Sequence, residues 1–198
     1  MIKGSKTHGQ MKDIGKIRHT LSHILAISVL KYDPKVKIAI GPSTDVGFYY
    51  DFEFSEGKTL VEENLKKLEK EMRNTLKRGF KPERREISVD DARELFKDQP
   101  YKLELIEEIA STGEVITTYT IDNFTDLCEG PHVEDSKEIK PDSFSLSHIA
   151  GAYWRGDEKN TMLTRIYGVA FESKDELEKY IELQKEAKII RNGTMNWL

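Results

Sequence analysis

His19-Thr-Leu-Ser-His23 and Cys128-Glu-Gly-Pro-His132 each place two nitrogen or sulfur ligands across a three-residue gap. Together they use three of the five histidines and the only cysteine of the 198-residue chain. On a helix, His-x-x-x-His sets both imidazoles one turn apart on one face. The second pair cannot be ordinary helix, because Pro131 removes a backbone donor and Gly130 favours a turn. A helix meeting such a turn would converge four groups on one point. That is the ligand count of a zinc site, or the equipment of a hydrolytic site that orders a water.

A lone His-x-x-x-His is more often two unrelated surface histidines, and a lone cysteine a small buried hydrophobe. The surrounding residues argue otherwise. Ile17, Leu21, Ile24 and Leu25 cluster on one side of the expected helix, while Ala26, Ile27 and Leu30 share the side of His19 and His23. A helix apolar on both sides is enclosed, and enclosed imidazoles need partners. Cys128 and His132 follow Asp126 in a stretch that reads as a strand end, a usual place for site residues.

The elements that must position these groups follow from pattern. A helix is expected from Ile14 to Lys31, stopping before Pro34, then a short strand Lys37 to Ile40. Gly47 to Phe54 alternates, with Phe48, Tyr50, Phe52 and Phe54 on one face, and reads as a half-buried strand. Leu60 to Leu76 is an amphipathic helix with the stripe Val61, Leu65, Leu68, Met72 and Leu76. Phe80 to Ile87 reads as a charged edge strand, Ser88 as a helix cap, and Tyr101 to Ala110 as a second short helix. Val115 to Asp122 is Thr- and Ile-rich strand. Strands at Phe144 to His148 and Met162 to Phe171 are expected on either side of Gly151-Ala152-Tyr153-Trp154-Arg155-Gly156. A final helix, Asp175 to Arg191, starts from the capping box Ser173-x-x-Glu176. The fold class is α+β, a mostly antiparallel sheet with helices packed on it.

A content of 37% hydrophobic and 33% charged residues fits one globular domain. The organisation expected is a lead-in over residues 1–13, the domain over 14–172, and a C-terminal helix and tail over 173–198. No apolar run is long enough to span a membrane, the N-terminus lacks an apolar signal core, and one cysteine permits no internal disulfide; no membrane partner and a cytoplasmic location are expected. The net charge of −4 argues against a bulk nucleic-acid binder, yet nine Lys/Arg against three Glu crowd residues 66–85. That stripe fits local phosphate contacts or a solvated helix face equally well.

The motifs His19-x-x-x-His23, Ile40-Gly41-Pro42, Gly47-Phe48-Tyr49-Tyr50-Asp51, Tyr101-Lys102, Asp126 to Val133 and Ala150 to Asp157 resemble the editing domain of bacterial threonyl-tRNA synthetases. This second N-terminal domain is related to the editing domain of alanyl-tRNA synthetase. The resemblance runs in order from about Ile14 to Phe171 and carries the fold with it. Nothing matches the small ubiquitin-like module that precedes the domain in the family. No aminoacylation core or anticodon-binding domain follows, so aminoacylation is not expected of this chain. The ending Arg191 to Leu198 does not look like the family's linker, which favours a naturally short protein over an excised fragment. Glu129 stands where arginine is expected in many relatives, removing a local phosphate or substrate contact.

The resemblance implies hydrolytic editing. Serine differs from threonine by one methyl, so a synthesis pocket discriminates by only about 1–3 kcal/mol. A second site must hydrolyse seryl-tRNA for threonine to serine and free tRNA. The catalytic set implied is His19, His23, Lys102, Asp126, Cys128 and His132. An imidazole handles the water, Asp126 orients one, Lys102 stabilises the oxyanion or holds the terminal ribose, and Tyr50 contacts substrate. The partners implied are the acceptor end of the threonine tRNA and a threonyl-tRNA synthetase lacking its own editing domain. Alanyl-type relatives use His19, His23, Cys128 and His132 positions for zinc, whereas the threonyl type manages with water. A closed four-ligand zinc leaves no open position for chemistry, so no cofactor is expected to be required, with Zn2+ the optional ion. The alternatives are a zinc-dependent deacylase of another mischarged tRNA, alanyl type, and a non-catalytic tRNA-binding module.

Overall fold

The computed structural model describes residues 7–194, with side chains from 14 to 189. The chain termini included in the lead-in and the tail, residues 1–6 and 195–198, lie outside the described residues.

Helix α1, Thr7–Tyr32, begins earlier than the Ile14 start read from the apolar pattern. Leu21, Ile24, Leu25, Ala26 and Val29 on its different sides are all fully buried. The helix is therefore enclosed, as its two-sided apolar pattern requires. The chain leaves it at Asp33, whose buried carboxylate accepts from the Ser55 N–H and hydroxyl and the Lys35 N–H.

Against α1 lies a four-stranded sheet in the order β1-β2-β7-β6, comprising β1 (Lys37–Ile38), β2 (Gly47–Glu53), β7 (Met162–Ala170) and β6 (Phe144–Tyr153), antiparallel throughout. The alternation in β2 holds: Phe48, Tyr50 and Phe52 are fully buried in the main core. Asp51 on the opposite face is also buried, because Arg165 on β7 grips its two oxygens at 2.7 and 2.8 Å and lies over the Tyr49 ring at 3.9 Å. Gly47 and Gly168 permit the close approach of β2 and β7. A Cβ on Gly47 would strike the Gly168 carbonyl, and one on Gly168 the Phe48 ring.

A second, three-stranded antiparallel sheet, in the order β3-β4-β5, contains β3 (Glu83–Ile87), β4 (Ile116–Ile121) and β5 (Phe124–Leu127). The charged β3 is its edge, as its composition requires. Helix α2 (Glu62–Arg78) packs on α1. Helices α3 (Val89–Leu95) and α4 (Pro100–Thr112) follow β3 and pack together; Ser88 accepts from Asp91 N–H at 3.1 Å to cap α3. Helix α5 (Lys174–Thr194) starts where Ser173 accepts from the Glu176 N–H.

Two expectations need correction. Val61 is not part of the buried stripe of α2; it is the N-cap residue and 52% exposed. Strand β6 does not stop at His148. Gly151, Ala152 and Tyr153 remain paired with Thr164, Leu163 and Met162, and the ladder slips at a bulge between Leu146 and His148. Small residues carry no alternation signal, so this extension is imposed by pairing with β7 rather than written locally.

Candidate functional site

The enclosed α1 carries His19 and His23, and β5 ends directly before Cys128. The turn after Cys128 needs its glycine and proline. Gly130 has φ +82°, the Gly130–Pro131 peptide is cis, and a Cβ on Gly130 would run into the Tyr119 ring. This turn folds His132 back onto α1. The imidazoles of His19 and His132 stack at 4.2 Å between centroids, and those of His23 and His132 meet edge-on at 4.3 Å. The candidate ligand atoms of His19, His23, Cys128 and His132 all lie within 4.8 Å of one another.

Hydrogen bonds fix which nitrogen faces inward. Thr20 gives its only hydroxyl proton to the Lys16 carbonyl at 2.8 Å. It therefore accepts from His132 Nδ1–H at 3.1 Å and from the Val133 N–H at 3.2 Å. His19 Nδ1 donates to the Pro131 carbonyl at 3.2 Å. Both rings thus turn an Nε2 lone pair towards Cys128 Sγ, 3.4 Å from His19 and 3.2 Å from His132. A thiol has one proton and satisfies one of them at a time. His23 is 2% exposed, and its Nδ1 has no partner.

Burial sets the charge state of the cluster. Desolvation pushes the Cys128 thiol up to about 12, partly opposed by the Gly130 N–H that it accepts. Desolvation lowers His19, His23 and His132 from the ordinary 6.5, and the neighbouring imidazoles push His23 and His132 down further. At neutral pH the cluster is a neutral thiol among neutral imidazoles.

Beneath it lies a charged group. Lys102, from α4, and Asp126, from β5, are 2% and 1% exposed. Lys102 Nζ stands 2.5 Å from Asp126 Oδ1. Its direction makes this a close ion pair rather than an aligned hydrogen bond, and Oδ1 has no other partner. Tyr50, fully buried, donates to Asp126 Oδ2 at 2.6 Å. Burial, then the Asp126 charge, hold that phenol well above 10.0, so it keeps its proton. His23 Nε2 is 3.6 Å from the same oxygen. Asp126 is thus gripped mainly by Lys102 and Tyr50, and His23 is its more distant neighbour.

The structure brings all the residues named from sequence into this one constellation. It adds two that sequence reading missed. Thr20 sets the His132 ring, and Tyr119 lies against it at 4.4 Å between centroids. Thr20 sits inside the first motif, but its partner is 112 residues away; Tyr119 sits in a strand whose pattern does not mark it. Thr20→Val is expected to free the His132 ring, leave the Val133 N–H unpaired, and destabilise the fold by about 1–3 kcal/mol, measurable by chemical denaturation.

The basic stripe divides. Arg73 binds the Pro141 and Phe144 carbonyls and pairs with Glu69, and Arg78 pairs with Asp122 and Glu71. Lys66, Lys67, Lys70 and Lys77 are exposed. Among the described residues, no helix is long and apolar enough to cross a membrane.

Residues 116–167, which hold β4, β5, the Cys128–His132 turn and most of the β6–β7 hairpin, match the threonyl and alanyl tRNA synthetase second additional domain. A threonine–tRNA ligase of Thermotoga neapolitana is 51% identical over 173 residues, 86% of this chain and 26% of the relative. That of Borreliella burgdorferi is 50% identical over 173 residues, 87% of this chain and 29% of the relative. The chain thus spans between a quarter and a third of the length of these curated relatives. Most of the chain is thus similar to part of threonyl-tRNA synthetases, consistent with their editing-domain region, and residues 116–167 match the second additional domain of threonyl and alanyl tRNA synthetases.

Proposed function

We propose that this chain is an aminoacyl-tRNA deacylase, which hydrolyses seryl-tRNA for threonine. The observation that carries the reading is the neutral His/Cys cluster set over a buried Lys102–Asp126 pair. Ester hydrolysis is speeded by a base for water and by a cationic or hydrogen-bond-donating group for the oxyanion. The imidazoles offer the first, and Lys102, paired with the Asp126 carboxylate that lies 3.6 Å from His23 Nε2, offers the second.

His19 is the group best suited to take the water proton. Its Nδ1–H is held by Pro131, its Nε2 lone pair faces the site, and it is less deeply buried than His23 and His132. The Cys128 S–H donates to His132 Nε2, the nearer imidazole, which leaves His19 Nε2 to accept from water. Lys102, itself 2% exposed and paired with Asp126, stabilises the charge that develops on the ester carbonyl, or holds the terminal ribose, from the floor of the site. Asp126 keeps Lys102 in place, and Tyr50 keeps Asp126 in place. Because Tyr50 is fully buried with its hydroxyl committed, its contribution to substrate binding runs through Asp126. The substrate partner is the acceptor end of the threonine tRNA; the protein partner is a threonyl-tRNA synthetase lacking its own editing domain; the setting is the cytoplasm.

The four ligands also fit a zinc ion. They are the right types and number, the Cys128 distances suit one tetrahedral shell, and Pro131 and Thr20 are outer partners of the usual kind. His23 Nδ1, buried without a partner, would gain one. A bound zinc would supply cross-linking and Lewis acidity there. Four protein ligands would leave it no open position, so the reading rests on the protein's own groups. Deacylation is expected to survive exhaustive chelation, with far less than one zinc per purified chain. Stoichiometric zinc with chelator-sensitive activity would move the protein to the alanyl type of deacylase.

A further inference from the structure

One row of side chains leads outward from the site across the three-stranded sheet. Arg84 on β3 is paired with Tyr119 on β4, and Tyr119 with Asp126 on β5. Directly opposed residues of antiparallel strands project from the same face, so all three share the face that carries the ion pair. Asp126 is buried, Tyr119 half-buried and Arg84 exposed, which makes the row a path from the floor of the site to solvent. With strands about 4.8 Å apart, the Arg84 backbone stands about 10 Å from that of Asp126.

Tyr119 is fixed between them. Its ring lies against His132 and fills the space that a side chain on Gly130 would need. Arg84, by contrast, is held loosely. Its described partner is Glu86, on the same strand and face, at 2.9 Å, with the two side chains 46% and 59% exposed. An exposed pair of this kind is worth about 1 kcal/mol or less, so a stronger anion displaces Glu86. Nearby arginines are placed differently: Arg85 projects from the other face beside Glu83, and Arg78 pairs with Asp122.

An acyl ester on a 3′-terminal ribose, with its carbonyl at Lys102, extends its own nucleoside away from the floor. The nearest anion of that substrate is the phosphate on the 5′ side of the same sugar, one ribose away. We propose that Arg84 receives this phosphate, with Tyr119 as the wall between it and the hydrolytic groups. The assignment rests on the deacylase reading for its ligand and names the subsite that anchors the terminal nucleotide. A planar guanidinium suits bidentate phosphate binding, and Glu86 is its competitor.

The probes are adenosine 5′-monophosphate and adenosine, titrated against the full chain and followed by amide chemical shifts, which need no turnover. The wild type is expected to bind the monophosphate about three- to tenfold more tightly, the range of one partly solvated charge-assisted contact. Arg84→Gln should erase that preference, and Glu86→Gln should enlarge it by removing the competing carboxylate. With seryl-tRNA, Arg84→Gln should raise KM by a similar factor. Equal binding of the two probes by the wild type, binding of neither, or a preference that survives Arg84→Gln would overturn the assignment. Hydrolysis of seryl-tRNA alongside any of these leaves the deacylase reading intact. A monophosphate preference lost in Arg84→Gln, with no hydrolysis, keeps the phosphate subsite and removes the deacylase reading.

Discussion

Asp126→Ala is expected to be the most damaging single substitution in this protein. It leaves the Lys102 ammonium buried with no counter-ion and the Tyr50 hydroxyl with no acceptor. Breaking a buried ion pair on one side typically costs about 3–5 kcal/mol, a large part of the roughly 5–15 kcal/mol that holds a domain together. The converse experiment separates stability from chemistry. In Lys102→Met/Asp126→Leu both charges are gone and the volume is roughly kept, so most of the lost stability should return. Deacylation should not return, since the cation for the oxyanion is missing. Denaturant midpoints and deacylation rates of the wild type, the single variant and the double variant make the comparison. Recovery of activity with stability would show that the pair only supports the fold.

The second large effect concerns acid. His19, His23 and His132 have their folded pKa values depressed by burial below 6.5. In the unfolded chain each takes up a proton as the pH falls through that ordinary value, while in the folded protein it stays neutral. The unfolded state then binds more protons, so stability is lost as pH falls below 6.5 and continues to fall until the folded values are reached. Each imidazole that stays neutral in the folded protein contributes at most about 1.4 kcal/mol per pH unit, a limit approached only well below 6.5. The strongly depressed His23 and His132 together give up to about 3 kcal/mol per unit there, and His19 adds a smaller share. Unfolding free energies should fall between about pH 7 and about pH 5 with a slope that steepens towards this limit, and His132→Gln should reduce the slope by roughly a third to a half. A flat profile would mean that the imidazoles are protonated or solvated in the folded state.

Parts of this site were legible in the sequence for specific reasons. The His/Cys pairs announced themselves because their spacing has geometric meaning on a helix and in a Gly-Pro turn. The enclosure of α1 followed from apolar residues on both sides, and the buried face of β2 from strict alternation. Lys102 was different. One lysine among 31 Lys/Arg carries no local mark, and only the family resemblance singled it out; its burial depends on Asp126 and Tyr50, both distant in sequence. Thr20 and Tyr119 escaped notice because their roles depend on the Gly130–Pro131 turn, which returns His132 to α1 from a distant part of the chain. The length of β6 was hidden for a similar reason, since Gly151 and Ala152 acquire strand structure from β7 across the ladder.

Under the proposed function, the neutral His/Cys cluster and the Lys102–Asp126 pair hydrolyse a seryl ester while rejecting a threonyl one. The most direct test of that function is single-turnover deacylation of seryl- and threonyl-tRNA for threonine by excess chelated protein, followed by release of the labelled amino acid. The seryl ester should be cleaved far faster than the threonyl ester, and Lys102→Met should abolish the difference by removing cleavage of the seryl ester. Equal rates on the two esters, or no cleavage of either by the wild type, would contradict it.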